Sequence, residues 1–169
     1  MDNKAITNKL LSNSNFPLLK NATVFVTTYI EKLVYDVLTY VDADISIGQI
    51  EILDNYQGKC ELSQGITGVP SAYSAIDAPS AALVEFAEQY SHLGIKQFDD
   101  LAKEVLVDFL NLHNGLFVVQ LSKDNICELS LDVPKQNGNY ACDHTTYKSI
   151  TVIPIIFSFG TVKFLLCEI

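Results

Sequence analysis

The residues with the clearest chemical potential lie at helical spacing in the segment 98–114. Glu104, Asp108 and Asn111 follow one another at intervals of four and three residues, so a helix places all three on one side, with Val107 between them. Carboxylates can pair with cations, and a carboxamide both donates and accepts hydrogen bonds. An ordinary solvated helix face would show the same pattern. The spacing alone therefore leaves a functional and a purely structural interpretation open.

Other reactive side chains form weaker groups. Cys142, Asp143 and His144 are adjacent in a polar stretch, but no fourth ligand follows at the spacing of a zinc site. His113 is predicted to lie on the side of its helix that faces the core. His92 lies at a predicted helix end, where it can interact favourably with the helix dipole. No serine or cysteine nucleophile accompanies them in a triad. The sequence predicts no metal site and no cofactor of its own.

The charge balance excludes several partners. Twenty acidic residues face eleven basic ones, the formal net charge is −9, and all the basic residues are lysine. A nucleic-acid partner is excluded, since phosphate neutralisation needs a basic surface. Without arginine, the chain has neither an arginine finger nor a bidentate phosphate clamp.

The chain of 169 residues, of which 49% are hydrophobic, suits one domain with a substantial core. No apolar run reaches the roughly 20 residues of a membrane span, and the N-terminus lacks the apolar region of a secretory signal. We expect a cytoplasmic protein without a membrane partner. Residues 1–21 are a polar leader, and residues 22–169 form the domain.

Periodicity predicts the elements that must position these residues. Opposite phases of alternation on the two sides of Gly48 indicate a bulge, and Pro154 indicates an edge or a bulge in its strand. The predicted helices are 22–42, 77–94 and 98–114, and the predicted strands are 45–47, 50–52, about 60–62, 65–76, 116–121, 126–131, 150–157 and 162–169. This order favours an α+β fold in which helices pack on one face of a mostly antiparallel sheet.

The helix 98–114 also carries a recognisable signature. Glu104, three residues, Asp108, two residues, Asn111, twenty-two residues and Pro134 follow in order, with Gly115 four positions after Asn111. This pattern resembles the CheC/CheX/FliY family of response-regulator phosphatases, whose signature is Asp or Ser, then Glu, Asn and Pro at the same intervals. Asp108 is one methylene shorter than the usual Glu. One copy of the signature is present, which is more similar to CheX than to the two-site CheC proteins.

The resemblance implies a function for each residue of the stripe. Asp108 and Asn111 would be the catalytic pair, and Glu104 and Val107 would contact the partner, a phosphorylated receiver domain of the CheY type. Asn111 would orient the water that attacks the aspartyl phosphate, while Asp108 would pair with a receiver lysine. The Mg²⁺ would belong to the receiver. The resemblance also implies a homodimer joined through sheet edges.

Two other functions stay open. The shorter side chain of Asp108 is compatible with a non-catalytic adaptor that binds a receiver or another signalling protein through the same helix. A small-molecule binding domain would use its apolar sheet face, but the sequence shows no polar cluster to orient a ligand.

Overall fold

The computed structural model describes residues 2–58, 60–124, 127–136 and 147–169. The chain alternates between groups of helices and groups of strands, and one 3₁₀ turn, Phe16–Leu18, follows the first helix. The helices are α1 (Asn3–Ser12), α2 (Val24–Tyr40), α3 (Ser80–Ser91) and α4 (Asp100–Asp124). The strands are β1 (Ser46–Ile47), β2 (Glu51–Leu53), β3 (Leu62–Gly68), β4 (Ala72–Asp77), β5 (Leu129–Leu131), β6 (Ser149–Phe157) and β7 (Gly160–Glu168).

The strands form one sheet in the order β1-β6-β7-β4-β3-β5, and β2 also pairs with β6. The pairings given for these strands are all antiparallel. The hairpins β3–β4 and β6–β7 supply most of the sheet, because strands that are joined by a short connection pair locally. The predicted α+β class is confirmed. Joining of two copies at the sheet edges stays a prediction.

The predicted irregularity at Gly48 separates β1 from β2. Both strands pair with β6, and the Gly48 N–H donates to the Pro154 carbonyl (2.9 Å) at the break between them. A Cβ at Gly48 would lie 3.0 Å from Pro154 Cβ. Pro154 therefore sits opposite the break, and its strand is flanked on both sides.

The helices pack on one face of the sheet, around a large aromatic core. Phe86, Phe109 and Phe164 contact one another with ring centroids 5.1 to 6.1 Å apart. A smaller cluster that includes Leu165 and Cys167 lies apart from this core. α4 packs between α2 and α3 and lies across β3, β4 and β5. This position gives α4 contacts with most of the fold.

The polar leader contains a helix that packs on the domain. Asp2 Oδ1 caps α1 by accepting from the Ala5 N–H (2.7 Å), and Leu11 is buried in the main core. The Asn15 carboxamide then exchanges two hydrogen bonds with the backbone of Ile50 (2.8 and 2.9 Å). Most of the stretch 1–21 is therefore built onto the same core as the residues after it.

α4 continues ten residues beyond the predicted helix end at 114. The predicted strand 116–121 is therefore wrong, and so is its hairpin with 126–131. Of the described residues 127–131, Leu129–Leu131 form a strand. Phe117 and Leu121 extend the buried stripe of His113 at intervals of four, so helical packing overrides their β propensity. Gly115 is tolerated within the helix, where the nearest outside atom to an added Cβ is 4.0 Å away.

α4 is also the one helix among the described residues with the length and composition to cross a membrane. Half of its apolar stretch is buried inside the fold. The central helix of a globular domain has the same length and composition, so this is weak evidence for a membrane span. The cytoplasmic location stays a prediction.

Candidate functional site

The site lies on the exposed face of α4. The helix is capped by Asp99, whose Oδ1 accepts from the Ala102 N–H (3.0 Å), and this hydrogen bond lowers the pKa of Asp99. Glu104, Asp108 and Asn111 are exposed on the same face, as the spacing predicts. Two acids and a carboxamide are thus presented together on a well-anchored helix.

Val107 does not belong to this face. It is 7% exposed and packs in the main core, so the prediction that it shares the exposed face with Glu104, Asp108 and Asn111 is wrong. The prediction from spacing assumes that α4 is covered on one side only. In the structure α2, α3 and the sheet all pack against α4, so its exposed stripe is narrower than predicted. Leu101, three residues before Glu104 on the same helix, is 46% exposed and supplies apolar surface beside it.

Asp108 is held by a tyrosine of the neighbouring helix. The Tyr90 hydroxyl donates to Asp108 Oδ2 (2.8 Å), and the Tyr90 ring packs edge-on against Phe109 with centroids 5.3 Å apart. Burial and then the Asp108 carboxylate raise the pKa of Tyr90 far above its ordinary value. The tyrosine is therefore a permanent donor at neutral pH, and Asp108 Oδ1 has no hydrogen-bond partner among the described residues.

Asn111 is anchored to the sheet through its oxygen. Gln64 Nε2, on β3, donates to Asn111 Oδ1 (2.7 Å), and Gln64 is itself 1% exposed. Within the described part of the chain, Asn111 Nδ2 has no acceptor. The exposed carboxamide thus has one end fixed by the fold and a donor that is open to a water or a ligand.

The segment that contains Pro134 lies against the same part of β3. Ser63 and Lys135 exchange backbone hydrogen bonds of 3.0 and 2.7 Å, and Gln64 Nε2 also donates to the Asp132 carbonyl (2.9 Å). The chain between Asn111 and Pro134 therefore returns to β3 beside Gln64, the residue that supports Asn111.

The sequence missed three residues that support the site: Tyr90, Gln64 and Asn114. Asn114 is fully buried, and its Nδ2 donates to Gln64 Oε1 (2.9 Å). Two buried amides that face each other are a costly arrangement unless both are paired. Gln64 alternates with Leu62 and Ile66 on one face of its strand, and a glutamine at that place was the signal that could have drawn attention to it.

The remaining candidates lie elsewhere. His113 is buried as predicted, and His92 ends α3 in the left-handed conformation (φ 55°). Cys142, Asp143 and His144 lie outside the described residues, as does the loop 137–139. Among the residues that are described, no three His, Cys, Asp or Glu side chains come together as a metal site.

No family model matches the sequence, and no curated protein matches it. Solved structures do. A CheC-like superfamily protein from Shewanella sp. PV-4 superposes with a TM-score of 0.72 at 16% identity, covering 88% of this chain and 99% of that one. The chemotaxis protein CheX from Vibrio vulnificus gives 0.70 at 13%, covering 87% and 100%.

A third match is a chain of the CheX–CheY–BeF3–Mg complex from Borrelia burgdorferi, with a TM-score of 0.68 at 12% identity over 85% of this chain and 97% of that one. The three solved chains are covered almost completely. This protein therefore has the CheC/CheX fold, and the resemblance seen in the signature is confirmed at the level of the fold.

Proposed function

We propose that this protein is a CheX-like chemotaxis protein that docks α4 on a phosphorylated CheY-like receiver domain and hydrolyses the aspartyl phosphate. The observation that carries the proposal is the Asn111 carboxamide, which is exposed on α4 with its oxygen held by Gln64. Its nitrogen has no acceptor among the described residues and can donate to a water. The partner is suggested by the fold, since the matching Borrelia burgdorferi CheX is in a complex with CheY.

The reaction needs little covalent chemistry from this chain. Asn111 Nδ2 donates to a water, whose oxygen keeps a lone pair for in-line attack on phosphorus. The new P–O bond forms as the aspartyl oxygen leaves with its electron pair, and the receiver carboxylate and inorganic phosphate result, with the water proton passing to phosphate. Positive charge must come from the receiver and its Mg²⁺, because this chain carries no arginine and a net charge of −9.

Asp108 and Glu104 fit the docking step better than the chemical step. Both are exposed acids on the face that carries Asn111, and an acid at this place can pair with a receiver lysine and set the register of docking. The hydrogen bond from Tyr90, on α3, restrains the Asp108 side chain. Leu101, rather than Val107, is the apolar side chain available for the partner.

The decisive experiment follows the decay of phosphate on a purified receiver, with wild-type protein and with Asn111→Ala. The catalysed rate should fall about 100-fold, while affinity for the receiver stays within about twofold because the docking acids remain. Asn8→Ala, an exposed asparagine on α1, is the matched control and should behave as wild type. Equal decay with Asn111→Ala and wild type would remove the catalytic role.

A non-catalytic adaptor is the second candidate, and the Tyr90–Asp108 hydrogen bond favours it. A short acid tied back at 2.8 Å reaches less far toward a partner than the usual Glu. Asp108→Glu separates the two functions. A gain of phosphatase activity of about tenfold would show that the site is limited by reach, whereas unchanged binding without any activity would support the adaptor.

A further inference from the structure

We infer that Gln64 and Asn114 are positioning residues, which form a buried chain of amides that decides which end of the Asn111 carboxamide faces the partner. This inference rests on the proposed function for its catalytic consequence. The chain runs from Asn114 Nδ2 to Gln64 Oε1 (2.9 Å) and from Gln64 Nε2 to Asn111 Oδ1 (2.7 Å). It therefore links the interior of α4, through β3, to the exposed site.

The direction of the chain is set by a backbone group. The Asp132 carbonyl can only accept, so the side of Gln64 that faces it (2.9 Å) must be the Nε2 donor. The same nitrogen faces Asn111, which must then present its oxygen inward and its Nδ2 outward. The hydrogen bond from Asn114 Nδ2 to Gln64 Oε1 agrees with this polarity. A reversed Gln64 amide would place its oxygen against both the Asp132 carbonyl oxygen and Asn111 Oδ1.

The Asp132 segment is itself held in place from β3. Thr67 Oγ1 donates to Asp132 Oδ1 (3.1 Å), and the Asp132 N–H donates to the Gly65 carbonyl (2.9 Å). A side chain at Gly65 would collide with the Asp132 carboxylate. The acceptor that orients Gln64 is therefore fixed by contacts with Gly65 and Thr67, which follow Gln64 in the same strand.

The burial of the chain makes its polarity hard to reverse. Gln64 is 1% exposed and Asn114 fully buried, so water is not at hand to replace a lost partner, and an unpaired amide there is costly. A water bound at Asn111 consequently meets a donor in a constant place. Such preorganisation acts on the rate of the reaction rather than on docking.

Proton exchange tests the geometry without any receiver. In wild type, the Asn111 side-chain amide protons should exchange with solvent freely, whereas both Gln64 Nε2 protons should be protected, as measured by NMR of ¹⁵N-labelled protein. Asn111→Ala removes one acceptor from Gln64 at an exposed position, so one of those protons should lose at least about tenfold of its protection. Equal protection of both protons in the two proteins would overturn the inference.

The catalytic arm uses Gln64→Glu, which has the same shape and lacks both donors. The catalysed rate should fall about 100-fold with receiver affinity within about twofold, and the Asn111 amide protons should become protected as they turn toward the carboxylate. Gln64→Met repeats the rate test without a buried charge, should Gln64→Glu not fold. Ser63→Ala, which removes a buried hydroxyl with no hydrogen-bond partner in the described residues, is the matched control and should leave rate and exchange unchanged.

The outcomes separate this inference from the proposed function. A Gln64→Met protein as fast as an active wild type would overturn the positioning role. A wild type without phosphatase activity, but with the expected exchange pattern and its loss in Asn111→Ala, would overturn the proposed function and support the amide chain.

Discussion

Two neighbouring residues of α4, His113 and Asn114, are both fully buried, yet they join different parts of the molecule. His113 Nδ1 is hydrogen-bonded to Asp36 Oδ2 on α2 (2.9 Å), whereas Asn114 donates to Gln64 on β3 (2.9 Å). The first contact is an acid and an imidazole that stay inside the core. The second is a set of neutral amides that ends at the surface. Buried polarity thus serves helix packing in one place and the exposed site in the other.

The His113–Asp36 pair is enclosed on all sides. Its imidazole contacts the Tyr29 ring edge-on (centroids 4.9 Å apart) and stacks on Phe109 (6.2 Å). Lys32 Nζ, on the same helix as Asp36, lies 3.5 Å from Asp36 Oδ1. A carboxylate in this setting depends on its two partners, because water cannot solvate it.

The largest effect on stability should come from Asp36→Ala. Its loss leaves His113 without an acceptor in the core, and we expect the free energy of unfolding to fall by about 3 kcal/mol, measured by urea denaturation. The phosphatase rate per folded molecule should stay unchanged. Asp44→Ala, an exposed acid, should change stability by less than about 0.5 kcal/mol. A folded Asp36→Ala protein with a reduced rate would show that the two regions are coupled.

An intermediate effect is expected from Asn114→Ala, which removes the inner end of the amide chain. Gln64 Oε1 then lacks its donor, so the free energy of unfolding should fall by about 1–3 kcal/mol. The phosphatase rate should fall about tenfold, because Gln64 holds Asn111 less firmly. Loss of stability at an unchanged rate would mean that the Asp132 carbonyl alone orients Gln64. Asn114 would then have no part in positioning Asn111.

The smallest effect should come from Glu31→Gln, at an exposed acid on the same helix as Asp36. Partial burial and then the Asp124 charge raise the pKa of Glu31 above 4.5 in the folded protein. As the pH rises through this raised pKa, the carboxyl ionises in the folded protein and lowers its stability. The variant should be more stable at pH 7 by at most about 0.5 kcal/mol. Below pH about 4, where the carboxyl is protonated in both states, the difference should vanish. Equal destabilisation at all pH values would contradict this assignment.

The elements predicted well from the sequence are those whose pattern is local. α2 and α3 show a helical periodicity that their packing follows, and β6 and β7 are mostly apolar runs joined by a short turn. The segment 116–121 is different, since Gly115 and a run of β-branched and aromatic residues favour a strand locally. There the contacts of α4 with α2 and the sheet outweigh propensity.

The same division holds for the site. Intervals of four and three residues suffice to place Glu104, Asp108 and Asn111 on one helix face. They cannot show how wide the exposed stripe is, which is why the prediction that Val107 is exposed is wrong. Nor can they reveal Gln64, whose position in the chain is 47 residues away from Asn111.

The sequence by itself determined the helix that carries Asn111, the acids beside it and the class of fold, because side-chain direction along a helix or strand repeats with a fixed period. Only the tertiary structure decided how far α4 extends, that Val107 is buried, and which end of the Asn111 carboxamide is free. Those features depend on contacts between residues far apart in the chain, and a hydrogen-bond partner is chosen by position in space rather than by spacing.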